Sequence, residues 1–525
     1  MSLSPYTGTW SLSEAAHLLR RTMYGATFQQ IQWATSNGLD ATVSQLLTLP
    51  AVDPPVSYLP EENIVSFGQT WVNAVYPSIA GTQINDARRG SLYGWSMERC
   101  NDPVMSIREK MCLFWNNHFA VEETFDARAV YNLHELYRSY CLGNFRELVK
   151  AVTTDVNMLY FLNGSNNDQQ SPNENYAREL LELFTVGKGP QIALGNYTNY
   201  TESDIAAGAK ILSGWKITGL LSDTLTSPLA YFVPSAHDTT DKQLSSAFMD
   251  AVIVQNGAQE FQDYINVIFS VPNAGEYICR KLYRWFVHSD ITDTIEQTVI
   301  EAMASLLVAN DFELLPVVEA LLKSEHFYEQ TFRGAMIRNP LEYTFLLLNA
   351  TETAPQYDLT TNMDFYVRMY YFSTALGMQY YSPPNVGGWP AYYQAPSWYR
   401  LWAVPIRMKY RREFVEHLAL EPGSLINGNY IRLNLLGYLN GLSDPSNAQQ
   451  VVDDTVLVFC PNGMETTRKN LLKAQLTNGL PDFEWTSEYT AYQSDLSNTT
   501  QINLIQDRVA LLLITLFRFN EVQLF

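Results

Sequence analysis

A chain of 525 residues with 34 basic and 54 acidic side chains carries a formal charge of −20 at neutral pH. Because nucleic-acid affinity depends on neutralising phosphate charge, this balance argues against a nucleic-acid partner. Charged residues make up only 17% of the sequence, whereas Tyr occurs 32 times, so the surface must rely on uncharged polar groups. Such a surface suits contact with proteins or saccharides, or it reflects ancestry alone.

The cysteines and the apolar stretches of the sequence indicate in which cellular compartment the protein is expected. Five Cys residues are spread along the chain with no CxxC pair, so neither a disulfide scaffold nor a zinc knuckle is expected. The first residues lack a basic region followed by an apolar stretch, the pattern of a secretory signal. The longest apolar run near the end, 509–517, is about half of what a membrane span needs. We therefore expect a cytoplasmic protein without a membrane span and leave export by another route open.

The first fifty residues show the spacing of short amphipathic helices. Ser11 with Glu14, and Thr27 with Gln30, are capping-box pairs, in which each side chain can satisfy an unpaired amide of the first helical turn. Gly38 is a natural stop between the second and third helices.

Helical patterns continue to the C-terminus with two irregular interruptions. Apolar residues recur at helical spacing over four longer stretches: 145–162, 258–287, 293–309 and 312–323. Thr201 with Asp204 starts another helix. Residues 216–250 are irregular with short β-favouring patches, and 378–400 form a loop rich in Gly, Pro and Trp. The pattern predicts an all-α, mainly helical fold, a large bundle-like assembly with long irregular loops and at most minor β structure.

The most informative segment is a polar helix predicted from Asn173 to Gly187. Four polar side chains fall at positions i, i+3, i+4 and i+7 and so share one face: Asn175, Arg178, Glu179 and Glu182. The opposite face is apolar: Tyr176, Leu180, Leu183 and Phe184. Two carboxylates one turn apart beside an Arg can work as acid and base, or bind a metal through oxygen. The alternative is an ion-pair network between neighbouring helices, which is common on helix surfaces.

Two further segments carry histidine. His118 lies on an apolar stripe next to Asn117, where an imidazole is either a hydrogen-bonded core residue or a group that changes charge near neutral pH. His237 and Asp238 are neighbours in the irregular region, with Lys242 four residues further on. In a loop both side chains can point to one centre. The alternative for this loop is a turn in which Asp238 bonds its own backbone.

The sequence lacks the motifs of several common enzyme classes. It contains no GxGxxG, GxxxxGK, GxSxG or HExxH pattern. With seven His in the chain, a metal site would have to draw on few imidazoles. The sequence therefore names no cofactor, and any site must be assembled by the fold.

Several motifs, taken in order, resemble one family. They are Ala15–Arg21 followed by Tyr24-Gly25, Leu113–Phe119, the Asn173–Gly187 helix, Tyr200–Asp204, Ser213–Trp215, His237-Asp238 with Lys242, and Pro383–Pro390. This set resembles the DUF1800 family of uncharacterised bacterial proteins. The resemblance implies an all-helical fold without an assigned reaction. It also implies a family core over residues 1–400 and a helical extension over 401–525 packed on that core.

Two functional hypotheses follow. In the first, the polar motifs converge on one pocket, covered by the Gly387–Trp389 loop, that binds or hydrolyses a small molecule or saccharide, with or without a divalent metal. The candidate catalytic residues are His118, Glu179, Glu182, His237 and Asp238. The candidate ligand-binding residues are Asn117, Asn173, Glu174, Asn175, Arg178, Lys242 and Trp389. In the second, the same groups form a buried helix-packing network, and the surface binds a protein partner or a second copy of the chain.

Overall fold

The computed structural model of the protein describes residues 3–79 and 81–525, and most of this length is α-helical. The helices of the first half are Leu12–Thr22, Phe28–Leu46, Gly81–Cys100, Arg108–His118, Ala127–Ser139, Phe145–Thr153, Val156–Phe161, Glu174–Glu179, Glu202–Ile211, Glu260–Ile268 and Pro272–Phe286. Those of the second half are Asp293–Ile295, Glu301–Ala309, Leu314–Leu322, Pro340–Ala350, Leu359–Ala375, Pro405–Ala419, Leu435–Asn440, Ala448–Phe459, Thr466–Leu476, Asp482–Ser494 and Thr499–Leu516. None of the helices in the described ranges is both long and apolar enough to cross a bilayer.

The β structure is minor and local. In the described part of the chain it consists of two-stranded antiparallel sheets made from neighbouring strands. The pairs are Gln191–Ala193 with Asn196–Tyr197, Trp215–Thr218 with Leu229–Phe232, Lys242–Gln243 with Val252–Ile253, and Ser424–Ile426 with Asn429–Ile431. The prediction of a mainly α-helical fold with minor β structure is confirmed.

The capping signals in the sequence mark true helix starts. Gln30 N donates to the Thr27 hydroxyl at 3.0 Å, and Thr27 N donates back to Gln30 Oε1 at 3.0 Å. At a later helix, Thr201 N donates to Asp204 Oδ2 at 2.8 Å. Gly38, with a φ of 84°, breaks the helical path where a stop was predicted. These features follow from contacts within a few residues, which the local sequence determines directly.

The helix predicted over 145–162 is instead divided into Phe145–Thr153 and Val156–Phe161. Asp155 is the cause, because its side chain accepts hydrogen bonds from the amides of Asn157 at 2.8 Å and Met158 at 3.0 Å. A residue that caps a new helix in this way has an extended backbone and so ends the helix before it. The apolar periodicity runs through both parts and therefore concealed the break.

A buried ion pair fixes the helix Arg108–His118, which carries one of the candidate site residues. The Lys110 ammonium contacts the Glu342 carboxylate of a later helix, and both side chains are buried. The ring of Phe525 lies 5.2 Å from the same ammonium. Removing either charged partner would leave the other buried without compensation, which is strongly destabilising. The pair thus holds His118 in place from the opposite end of its helix.

Candidate functional site

A cavity of about 570 Å³ lies where three helices and one loop meet, and we call it the site cavity. The first helix is Arg108–His118. The second, called the acidic helix, is Glu174–Thr185, and the third, called the basic helix, is Pro272–Phe286. The site loop is 385–398. The lining residues are Phe114, Asn117, His118, Glu179, Glu182, Leu183, Tyr277, Lys281, Arg284, Trp285, Asn385, Val386, Gly387, Tyr392, Tyr393 and Trp398.

The imidazole of His118 is buried at the edge of the cavity, with an exposed fraction of 1%. Its Nε2 lies 3.0 Å from the carbonyl oxygen of Phe184. A carbonyl can only accept, so Nε2 carries the proton and donates. Burial, and then the nearby charge of Lys281, hold the pKa of His118 well below its ordinary value. The ring is therefore neutral, and its Nδ1 is an acceptor without a partner among the described residues.

The acidic helix departs from α geometry where it meets the cavity. Residues Glu174–Glu179 are α-helical, but Leu180–Thr185 form a wider π-helical turn. The hydroxyl of Thr185 donates to the Leu180 carbonyl, and Gly187 N donates to the Leu181 carbonyl at 2.9 Å. The sequence predicted a regular α-helix here, because no residue pattern within Leu180–Thr185 indicates the wider turn. Such turns are frequent at functional sites.

The carbonyls at the end of this turn connect the acidic helix to its two neighbours. The Phe184 carbonyl accepts from His118, and the Leu183 carbonyl accepts from the Tyr277 hydroxyl at 2.9 Å. Leu183, predicted to belong to the packing face, is half-buried and lines the cavity. Of the predicted packing face, Tyr176, Leu180 and Phe184 are buried and only Leu183 departs, because the wider turn changes the angular spacing around it.

The two carboxylates of the cavity have different surroundings. Glu182 accepts a hydrogen bond from the Tyr200 hydroxyl at 2.9 Å and forms an ion pair with the Lys188 ammonium at 2.6 Å. Glu179 makes neither a hydrogen bond nor an ion pair within the described ranges. Burial, and then the charge of Glu182, raise the pKa of Glu179 to about 6. One carboxyl is thus held by partners, and the other can exchange a proton near neutral pH.

A metal site needs several donor side chains in one place. In the described part of the chain, no group of three or more His, Cys, Asp or Glu side chains is arranged to hold a metal ion.

Among the lining residues that the sequence analysis did not single out, three polar ones lie on the basic helix. Tyr277, Lys281 and Arg284 are spaced i, i+4 and i+7, so they share one face. The Lys281 ammonium lies 5.1 Å from the Tyr277 ring centre, and the Arg284 guanidinium lies 5.4 Å from the Trp398 ring centre. Burial, and then Arg284, lower the pKa of Lys281 to about 8. The polar spacing on this helix was a signal that could have found them.

The site loop packs tightly on Asn117. The Asn117 Oδ1 atom accepts a hydrogen bond from Trp389 N at 3.0 Å. Gly388 has a φ of +87°, and a Cβ added there would lie 2.4 Å from the same oxygen. Trp389 itself is buried and is not among the residues that line the cavity. It thus anchors the loop, whereas Asn117 reaches both the loop and the cavity.

The remaining predicted residues of the acidic helix lie away from the cavity lining. Arg178 donates to both carboxylate oxygens of Glu202, at 2.8 and 2.9 Å, and to Glu174 at 3.3 Å. Asn173 caps the helix by accepting from the amide of Asn175 at 2.9 Å, and Asn175 is exposed. Of these four predicted ligand-binding residues, Asn173 caps the helix, Arg178 and Glu174 form an ion pair, and Asn175 lies at the surface.

The second histidine motif forms a cluster of its own. His237 Nδ1 donates to the Ser213 carbonyl at 2.8 Å, and Nε2 lies 2.9 Å from Glu260 Oε1. The Lys242 ammonium binds Glu260 Oε2 at 2.5 Å and the Asp238 carbonyl at 2.6 Å. Apart from Ser213, the cluster consists of His237, Asp238, Lys242 and Glu260. None of these four residues lines the site cavity. Glu260 was missed because nothing in its own helix marks it.

The chain belongs to the DUF1800 family. The model of that family, described as "Protein of unknown function (DUF1800)", matches residues 17–513, nearly the whole chain. This confirms the resemblance found in the motifs. Comparison with curated proteins and with solved structures gave no match.

Replacing Gly388 with Ala tests how strictly the site loop is seated. Gly428, with a φ of +81° and no atom within 4 Å of an added Cβ, is a matched control, since Ala there brings only backbone strain. We expect both variants to lose about 1–2 kcal/mol from that strain. Gly388→Ala should lose a further 1–3 kcal/mol or so, because its Cβ must displace Asn117. Urea unfolding measures the difference, and equal losses would contradict this account of the loop.

Replacing Glu260 with Gln tests the buried His237 cluster. The change leaves the Lys242 ammonium buried without its carboxylate, so the free energy of unfolding should fall by about 3–5 kcal/mol. Glu421→Gln is the control, because its partner Arg432 forms an ion pair at the surface. That loss should stay below about 1 kcal/mol. Chemical denaturation of both variants provides the comparison, and similar small losses would mean that the cluster does not stabilise the fold.

Proposed function

We propose that the site cavity is an active site that binds a small polar molecule and hydrolyses it, with Glu179 as the proton donor. The observation that carries the proposal is the state of Glu179. It is a half-buried carboxyl that lines the cavity, lacks a partner in the described chain and has its pKa raised to about 6. Leaving such a group unpaired is costly for folding alone, and perturbed carboxyls in clefts are typical of acid–base catalysis.

The neighbouring groups suit the other parts of a hydrolytic step. A water molecule adds to the electrophilic atom and passes its proton to Glu182, whose negative charge is stabilised by Lys188. Glu179 gives its proton to the leaving group as the bond to that group breaks. Two carboxyls with different environments, one unpaired and half-buried and one bound by a cation, are the usual arrangement for this division of roles.

His118 supports binding rather than proton transfer. Its ring is neutral and its Nδ1 is an unsatisfied acceptor, so a hydroxyl or amide of the ligand can donate to it. Asn117 adds an amide at the same edge of the cavity. The aromatic rings of the site loop and the basic helix provide the apolar part of a pocket, as in most small-molecule sites.

A structural role is favoured for the His237 cluster. Its polar side chains satisfy one another, and those of His237, Lys242 and Glu260 are at most 2% exposed. A saturated and buried network of this kind fixes the packing of the irregular region on the helix that begins at Glu260. We therefore propose that His237, Asp238 and Lys242 stabilise the fold, and that the acid–base chemistry belongs to the site cavity.

The catalytic role predicts the effect of Glu179→Gln. With p-nitrophenyl acetate, phosphate and glucoside as chromogenic reporters, the variant should hydrolyse the preferred reporter roughly 100-fold or more slowly. In the wild-type protein the rate should fall about tenfold per pH unit above pH 6 or so, because Glu179 loses its proton. Glu174→Gln changes an exposed carboxylate on the same helix and should leave the rate unaltered. An unchanged rate in Glu179→Gln, or no hydrolysis of any reporter, would refute the proposal.

The same group predicts a pH-dependent change in stability. The pKa of Glu179 is higher in the fold than the ordinary value of 4.5, so folding favours the protonated form. Stability from this group is fully present below pH 4.5 and is lost as the pH rises through about 6. After allowance for its exposed part, the loss should be about 1 kcal/mol or less. Thermal unfolding between pH 4 and 7 should show this loss in the wild-type protein and not in Glu179→Gln.

A further inference from the structure

The basic helix presents two cations to the site cavity that no carboxylate neutralises. Lys281 and Arg284 are three residues apart on the same face, and both line the cavity. In the described ranges, neither has an Asp or Glu oxygen within salt-bridge distance. Their partners are instead aromatic rings and, for Arg284 Nε, the Ser289 carbonyl at 3.2 Å. This is unusual in a chain whose acidic residues outnumber its basic ones by 54 to 34.

A neighbour on the same helix shows that carboxylates were available. Arg280 binds Glu276 at 2.8 Å and Glu296 at 2.6 Å and is not among the residues that line the cavity. Like charges three or four residues apart destabilise a helix unless something neutralises them. The contrast between Arg280 and the pair at the cavity indicates that the pair is kept for a ligand.

The carboxylates of the cavity do not serve as hidden partners of this pair. Glu182 is bound by Lys188 and Tyr200 on its own side of the cavity. No ion pair joins Lys281 or Arg284 to Glu179 in the described ranges, and the cations that act on the Glu179 carboxyl are Arg178 and Lys188. The cavity thus has an acidic end and a basic end, and the basic end lacks its counter-charge.

We propose that the ligand of the site cavity carries an anionic group, a carboxylate, sulfate or phosphate, which Lys281 and Arg284 bind. The proposal deepens the proposed function, because it names the class of molecule that the same cavity takes. Arg offers a planar donor fork for such groups and Lys a point charge. A volume of about 570 Å³ exceeds that of an inorganic ion. The anion is therefore one end of a small organic molecule, whose other end reaches Glu179.

Protection of Lys281 from acetylation tests the anion site directly. A lysine with a pKa of about 8 reacts faster at pH 8 than an ordinary one, and Lys409, which is largely exposed, is the internal reference. We expect acetate, sulfate, phosphate or glucuronate, at constant ionic strength, to slow acetylation of Lys281 and not of Lys409, as measured by peptide mass spectrometry. The anion that protects at the lowest concentration identifies the acidic group.

Variants and a neutral analogue decide the outcome. Arg284→Gln should weaken protection by the best anion about tenfold. Arg280→Gln removes a cation of the same helix that Glu276 and Glu296 already neutralise, and it should not weaken protection. Glucose should not compete with glucuronate. Protection by none of the anions, equal protection of Lys409, or equal competition by glucose would overturn the proposal.

The two proposals can fail separately. Anion protection that persists in Glu179→Gln, together with unaltered hydrolysis in that variant, would remove the catalytic role and leave the anion site standing. Hydrolysis that depends on Glu179 but is unchanged by Arg284→Gln and by every anion would remove the anion site and leave the catalytic role standing.

Discussion

The hydrogen bond from His118 Nε2 to the Phe184 carbonyl is the contact on which the site cavity depends. It joins the helix Arg108–His118 to the acidic helix, and the Tyr277 hydroxyl joins the basic helix to the same turn through the Leu183 carbonyl. Both acceptors are backbone atoms, so three helices are held together without using charged side chains. The bond also determines which imidazole nitrogen keeps its proton. Glu179, Lys281 and Nδ1 of His118 remain available because the assembly does not need them.

The two histidine motifs illustrate how differently polar groups can behave in one chain. Around His237 every charge has a partner, and Glu260 receives hydrogen bonds from two backbone amides as well. Around His118 the strongest groups are left unsatisfied, next to an open volume. A packing network gains by saturation, whereas a binding site gains by keeping donors and acceptors for its ligand. This difference is visible in partners and not in residue types, so the sequence suggested one common pocket for both motifs.

A feature could be predicted from the sequence when the residues that produce it lie close together in the chain. The capping pair Thr27 and Gln30, the mainly helical fold and the shared face of Glu179 and Glu182 depend on residues a few positions apart. The family resemblance added His118 and the site loop as parts of the same signature. The spacing of Lys281 and Arg284 is visible in the sequence, but their lack of a counter-charge is not, because it depends on carboxylates far away in the chain that do not approach them. The same applies to Glu260, whose role depends on a loop about twenty residues earlier in the chain.

The wider turn at Leu180–Thr185 has a consequence for how this helix tolerates change in length. An α-helix rotates by about 100° for each residue. A π-helical turn advances by a smaller angle for each residue, so its six residues cover roughly the rotation of five α-helical ones. Deleting one residue within the turn would therefore restore an ordinary helix and leave the residues on either side of the turn facing as before. The extra residue thus affects the side chains within the turn, Glu182 among them, and not the orientation of Glu179 on the α-helical part before it.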